Sequence, residues 1–579
     1  MILRLHQPDL ILLHAPSVYD FRQESIVYGP VSDLVPSTPI FEMYPVGFSS
    51  ISHYLQKNGL NVRIINLALM MLKDKSFDVE AYLRKLKSPA VFGIDLHWMP
   101  HCHGSVEIAR LVKKYHPETP IVFGGFSSSF YHRELIEIPE IDFVMRGDTT
   151  EEPMRQLVAT VKNGEDISGI PNLTWKRDGK VIENPFTNVP MDIDEFSVGY
   201  DEMVRSVFRY RDFTGVIPFM DWTRYNIMAA FVGRGCTLNC VYCGGSCFTF
   251  KNTYNREKMA FRSPEALLKD VRTISRLSRG PIFMLGDLNM PGLDYAETVL
   301  KGIRDMGIKN KVILEFYALP DLEVFDLVDK YLDDYSYEMS VESHDETVRR
   351  AIGKGYTNAD FEACIKAALK HDKCERFDLY YMVGLPEQTY EKTLATVDYC
   401  RDLYKEIGND KRLLPFISPL APFLDPGSRA FVNPEEHGYK LRCRTLEEHR
   451  RALIMPSWKY ILNYETKWMD RDAIVAATYD AAFGLNRLKK EVGAIDEATA
   501  AETEERITQA RAIMTRVDEI MALGDENERQ KKLRELKEEV DNSSISTVAD
   551  KQELEWGITK LAPKFRIPRI IKLIFGVGD

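Results

Sequence analysis

Cys236, Cys240 and Cys243 stand at C-x3-C-x2-C spacing in Cys-Thr-Leu-Asn-Cys-Val-Tyr-Cys, directly after the apolar run IMAAFVGRG. Three thiolates on one short loop can hold three irons of a 4Fe-4S cluster, which normally takes four cysteines. One iron is then open to a non-protein ligand, and an open metal position is where chemistry happens. Tyr242 places an aromatic ring just before the last cysteine. Two other readings stay open on the residues alone. Cys247 could complete a four-cysteine electron-transfer or structural site, and thiolates also suit zinc. We expect Cys247 to be a spare thiol.

The loop resembles the signature of radical S-adenosylmethionine (SAM) enzymes. The resemblance implies that the amino and carboxylate groups of SAM chelate the open iron. An electron from the cluster then cleaves SAM to a 5′-deoxyadenosyl radical.

Other elements must bring further groups to this loop. From 223 to 430 the strand patterns NIMAAFVG, PIFMLGD, KVILEFYA, YEMSVES, RFDLYYMVG and PFISPLA alternate with helical patterns. Six such units predict a partial α/β barrel, whose chemistry belongs at the carboxyl ends of the strands. The resemblance implies roles there. Gly286 and Asp287 stand at the SAM amino contact, where a carboxylate accepts from an ammonium. Glu342 stands near the SAM ribose, and Lys354 follows it. Arg376 heads the fifth strand as a further SAM contact, and the turn in YYMVGLPEQT stands at the adenine.

Residues 1–165 also alternate strands (9–15, 61–68, 90–96, 119–125, 141–147) with helices (46–58, 79–87, 103–115, 151–163). This predicts a doubly wound parallel sheet with ligands outside its carboxyl ends. The domain resembles the cobalamin-binding domain of cobalamin-dependent radical SAM enzymes, through Pro45, Gly47, Gly93, Gly124-Gly125 and Arg146-Gly147-Asp148 followed by Glu151. The resemblance implies cobalamin contacts at Pro45, Gly47, Gly93, Gly124, Gly125, Ser127 and Gly147. Asp95-Leu-His97 is followed by Trp-Met-Pro, without the glycine of the Asp-x-His-x-x-Gly motif that supplies histidine to cobalt elsewhere. We therefore expect no protein histidine on the metal, with Trp98 and Met99 covering its lower face.

Residues 166–222 read as a bridge with a hairpin at LTWKRDGKVIENP. Residues 431–579 read as helical and charged, with an apolar stripe Ile507, Ala510, Met514, Val517, Met521. That region could cap the barrel mouth or simply pack. The terminal KFRIPRIIKLIFG could touch a membrane surface or a partner.

The chain of 579 residues is too long for one core. A net charge of −11 gives no global invitation to nucleic acid. Nine cysteines without a disulfide-like pattern predict a reducing, cytoplasmic setting. The N-terminus reads as a strand, and no apolar run reaches the ~20 residues of a membrane span. The expected function is C-methylation of an unactivated carbon, in a protein, peptide or small molecule, with an electron donor as partner. An amino acid in a protein is one candidate, such as a glutamine of methyl-coenzyme M reductase. No side chain is assigned as catalytic acid or base. Non-methylating radical chemistry, such as ring formation, oxidation or lipid-tail coupling, and a non-catalytic corrinoid and iron–sulfur electron carrier are the alternatives.

Overall fold

The computed structural model describes residues 7–26, 41–420 and 424–540, together with 565, 566 and 570. Short apolar runs without polar alternation need cover on both faces. In the first domain they form β1 (Leu10–His14), β2 (Val62–Asn66), β3 (Val91–Asp95), β4 (Ile121–Gly124) and β5 (Phe143–Met145). These five expected strands are parallel, in the order β2-β1-β3-β4-β5. Ile11, Leu13, Phe92 and Ile94 form one core with the helix Cys102–Tyr115. Leu10, Leu12, Val91 and Val122 form the other with the helices Val46–Lys57 and Glu151–Asn163. Strand order reverses between β1 and β3, the place where such sheets open a crevice.

The expected Asp-Gly hairpin forms as β6 (Leu173–Arg177) and β7 (Lys180–Glu183). It does more than bridge. β6 pairs antiparallel with β5, so the first sheet continues to seven strands.

The second sheet begins with β8 (Met228–Phe231). A short antiparallel pair, β9 (Gly233–Arg234) with β10 (Ala260–Phe261), then brackets the cysteine loop. The sheet continues through β11 (Ile282–Leu285), β12 (Val312–Phe316), β13 (Tyr335–Glu342), β14 (Cys374–Val383) and β15 (Leu413–Pro419). All six strands are parallel and lie side by side in chain order. β8 and β15 are its two edges, so the barrel is open, as expected. Along β13, Tyr335, Tyr337, Met339 and Val341 join the outer core, which turns Glu338, Ser340 and Glu342 inward.

Helix Arg471–Glu491 packs on edge strand β15 and on helix Tyr390–Glu406. The apolar stripe of the following helix, Glu497–Met521, buries Ile507, Ala510, Met514 and Val517. This region therefore packs along the β15 edge of the barrel. The expected amphipathic tail lies outside the described residues apart from three positions, where Phe565 packs on Trp222 and bridges to Ser278.

Candidate active site between the two sheets

The cysteine loop leaves the carboxyl end of β8 and is held by backbone. Val241 N–H donates to Ile352 O at 3.1 Å, and Ala430 N–H donates to Val241 O at 2.8 Å. Gly353 has φ +97°, and a Cβ there would lie 2.9 Å from Asn239 O, so glycine permits the close approach. Cys236 Sγ accepts from Leu238 N–H at 3.3 Å, and Cys243 Sγ accepts from Gly245 N–H at 3.2 Å. Burial pushes the Cys240 thiol up to about 12, so the metal itself must draw off the proton. The three cysteines line a cavity of about 530 Å³, and Cys247 is not among its lining residues. Among the described residues, the one His/Cys/Asp/Glu group drawn close enough to share a single ion is His14, Asp95 and His101.

Tyr242 reaches from this loop to β13, where its hydroxyl donates to Glu342 Oε1 at 2.8 Å. Lys354 Nζ donates to Glu342 Oε2 at 2.6 Å. Glu342 has φ +60°, a left-handed conformation that a side chain other than glycine rarely takes. A non-glycine residue held there by a buried ion pair marks a constrained functional position. Glu342, Lys354, Ser340 and Tyr317 all line the cysteine cavity.

Gly286 and Asp287 follow β11 as expected. The Asp287 carboxylate accepts from the backbone N–H groups of Asn289 and Tyr317. Glu315 accepts from Tyr317 Oη at 2.6 Å and from Gly286 N–H at 3.4 Å. Burial pushes Asp287 and Glu315 each up to about 7. The turn after β14 braces itself: Gln388 Oε1 accepts from Gly384 N–H at 2.9 Å and Leu385 N–H at 3.1 Å.

Arg376 is a correction. It lies near the amino end of β14, paired with Ser336 at the start of β13, whereas the cavity opens at the carboxyl ends. Its guanidinium is committed to Asp378, with Nε 2.6 Å and Nη2 2.7 Å from the two carboxylate oxygens. Asp378 sits in register with Glu338, which is in register with Glu315. Arg376 thus neutralises one carboxylate of an acidic row in the barrel floor and does not line the cysteine cavity.

The second cavity, of about 390 Å³, lies at the strand-order reversal of the first sheet. Pro45, Gly47, Gly93, Gly124, Gly125 and Gly147 line it. A Cβ on Gly47 or Gly124 would meet nothing within 4 Å, so at these positions a side chain would occupy the cavity itself. Gly125 has φ +117°, and a Cβ there would lie 2.5 Å from His97 Cα. Gly125→Ala should cost about 1–3 kcal/mol from backbone strain alone and lower the unfolding temperature. Gly124→Ala should unfold like wild type and lose only corrinoid affinity. Thermal melts with cobalamin titrations separate the two. Glycine walls let the backbone come close to a large flat ligand such as a corrin ring.

Ser127 is buried in the short helix Phe126–Phe130 and does not line the cavity. Trp98 and Met99 also need correction. Met99 is fully buried in the first-domain core. Trp98 lines the cysteine cavity instead and hydrogen-bonds the Asp425 carboxylate, which also accepts from Gly244 N–H at 2.9 Å. Among the described residues, Trp98 and Met99 do not line this cavity, whereas His97 does.

The two cavities share Gly235 and Phe250 in their walls. Sequence reasoning missed what holds them together. Arg256 and Asp148 form a buried ion pair across the domains, and Arg256 Nη2 also donates to Thr149 Oγ1 at 3.1 Å. Arg234 pairs with Glu151, which accepts from Ser50 Oγ at 2.6 Å. Asp425 was missed as well, because its turn after β15 carries no periodic signal.

The B12 binding domain family matches residues 35–157, and the Radical SAM superfamily matches residues 231–400. The uncharacterized methyltransferase PH0819 of Pyrococcus horikoshii is 22% identical over 375 residues, covering 62% of this chain and 73% of that one. The hopanoid C-3 methylase of Methylococcus capsulatus is 23% identical over 345 residues, covering 57% of this chain and 60% of that one. In structure, the radical SAM methyltransferase TsrM of Kitasatospora setae superposes with a TM-score of 0.57 at 15% identity, covering 85% of this chain and 90% of that one. The cobalamin-dependent radical SAM enzyme OxsB gives 0.56 at 14% identity, covering 95% and 78%. Two matched domains and two adjoining cavities define a cobalamin-binding radical SAM enzyme. The chain carries a B12 binding domain and a Radical SAM domain, whose groups are cobalamin, a 4Fe-4S cluster and SAM. Among the described residues no helix is long and apolar enough to cross a membrane.

Proposed function

We propose that this enzyme transfers a methyl group to an unactivated carbon held where the two cavities meet. The observation that carries this is their shared wall at Gly235 and Phe250, which sets the cysteine loop beside the glycine-walled crevice. When bound, the cluster with SAM supplies a hydrogen-abstracting radical, and the corrinoid supplies the methyl group. The chain positions these groups and the substrate between them. Cys236, Cys240 and Cys243 hold the cluster. Glu342, fixed by Tyr242 and Lys354, lies beside it to orient SAM, and Asp287 and Glu315 provide carboxylates for its ammonium. The names of the relatives, a methyltransferase and a methylase, support methyl transfer. The acceptor we would test first is an amino acid side chain of a protein, such as a glutamine of methyl-coenzyme M reductase. All nine cysteines are free thiols, which suits a reducing cytoplasm.

Incubating the loaded enzyme with SAM and a reductant tests the reading. Methyl transfer yields S-adenosylhomocysteine and 5′-deoxyadenosine together. Deoxyadenosine alone indicates radical chemistry without methylation, and neither product from intact enzyme indicates an electron carrier.

SAM binding should depend on pH. Asp287 and Glu315 titrate near 7 in the fold and near 4 when unfolded, so the folded state holds extra protons between those values. Stability without SAM therefore falls as pH rises across that window. An ammonium favours the ionised carboxylates, so the increase in unfolding temperature caused by SAM should grow from pH 6 to pH 8. A shift independent of pH would remove these carboxylates from the SAM site.

A further inference from the structure

We propose that His97 is the lower axial ligand of the corrin cobalt, oriented by Asp95 and backed by His14. The proposal rests on cobalamin binding by the first domain. His97 follows β3 at the strand-order reversal and lines the glycine-walled cavity, with its side chain 26% exposed. His97 Nδ1 lies 2.6 Å from Asp95 Oδ2. That contact takes one ring nitrogen and leaves Nε2 as the one available to a metal. Metal-bound histidines commonly give their other N–H to a carboxylate, which fixes tautomer and ring direction and strengthens the nitrogen as a donor.

Asp95 is itself fixed. His14 Nδ1 lies 3.0 Å and 3.1 Å from the two Asp95 oxygens, and His14 Nε2 lies 3.0 Å from Phe41 O. A chain Phe41 O, His14, Asp95, His97 thus runs from the core to the cavity. His101 packs against both rings, with centroids 4.7 Å from His14 and 4.8 Å from His97.

The backbone of His97 is also clamped. Gly125, which follows β4, comes so close that a Cβ would strike His97 N and Cα at 2.6 Å and 2.5 Å. Gly125 therefore provides the close approach that the missing glycine after Asp95-Leu-His97 led us not to expect. The same His14, Asp95 and His101 group is unsuited to a separate ion, because both nitrogens of His14 are already engaged.

The test uses the full chain loaded with cobinamide, a corrinoid that lacks the nucleotide base, and reduced to cobalt(II). Any axial nitrogen on the metal must then come from the protein. We expect a three-line nitrogen splitting in the electron paramagnetic resonance spectrum, becoming two lines when histidine carries nitrogen-15. The splitting should vanish in His97→Ala and persist in His101→Ala. Stoichiometric cobinamide without nitrogen splitting overturns the proposal, and so does a splitting that survives in His97→Ala. Failure of the wild type to bind any corrinoid overturns the cobalamin reading, and this proposal with it. The isotope arm needs no substitution, so a variant that misfolds does not decide the matter.

Discussion

Changing Cys236, Cys240 or Cys243 to alanine, one at a time, removes the iron–sulfur centre, and Cys247→Ala leaves it in place. Reconstituted wild type should carry about four irons per chain. Each of the three variants should fall below about one, lose its visible charge-transfer absorption and form no 5′-deoxyadenosine. The effect is all-or-none because three thiols already serve three irons, and losing one leaves a second iron without a protein ligand. Burial makes replacement by a neighbouring group difficult, since Cys240 and Val241 are enclosed by the barrel mouth. Cys247 contributes its backbone, through an N–H bond to Leu238 O at 2.8 Å, and alanine keeps that bond. If Cys247→Ala lost iron as completely as the others, four thiols would hold the metal. SAM would then have no place on the cluster, and the radical reading would fall. Iron analysis and the visible spectrum of the four variants decide this.

The parts of this site written in the chain as short-range pattern were legible. The cysteine spacing, the glycines after β3 and β4 and the apolar runs of both sheets depend on neighbours a few residues apart. Glu342 was legible by its place at the end of β13, although its left-handed backbone and its bond to Tyr242 were not. Arg376 was misplaced for an instructive reason. A strand pattern shows which residues alternate but not which end faces the chemistry, and Arg376 sits at the wrong end. Trp98 and Met99 are adjacent, yet one enters the barrel cavity and the other the first-domain core. A turn decides that split, at the 3-10 segment Met99–His101, and turns leave weak traces in composition. The histidine chain from His14 to His97 joins residues 83 positions apart, which no local pattern can report. Its visible fragment, Asp95-Leu-His97, lacks the motif's glycine, and the close approach of Gly125 to His97 shows only in the fold.

The two domains must hold their cavities in fixed opposition, and the buried pair Arg256–Asp148 is one link between them. The Arg256 and Asp148 side chains are 0% and 2% exposed. Removing one partner of such a pair strands the other charge in a medium that cannot solvate it, a loss of about 3–5 kcal/mol. Arg256→Ala should therefore lower stability by that order. Arg256 also donates to Pro190 O at 3.1 Å and to Thr149 Oγ1, so the loss would loosen the whole segment that follows β5. The double variant Arg256→Met with Asp148→Leu should recover much of the stability, because two apolar residues leave no buried charge. It should not recover methyl transfer, since the pair also fixes how the crevice faces the cysteine loop. Deoxyadenosine formation, which needs only the barrel, should survive in the double variant while S-adenosylhomocysteine formation coupled to substrate falls. A double variant as active as wild type would show that domain packing alone, without this pair, sets the distance across which the methyl group travels.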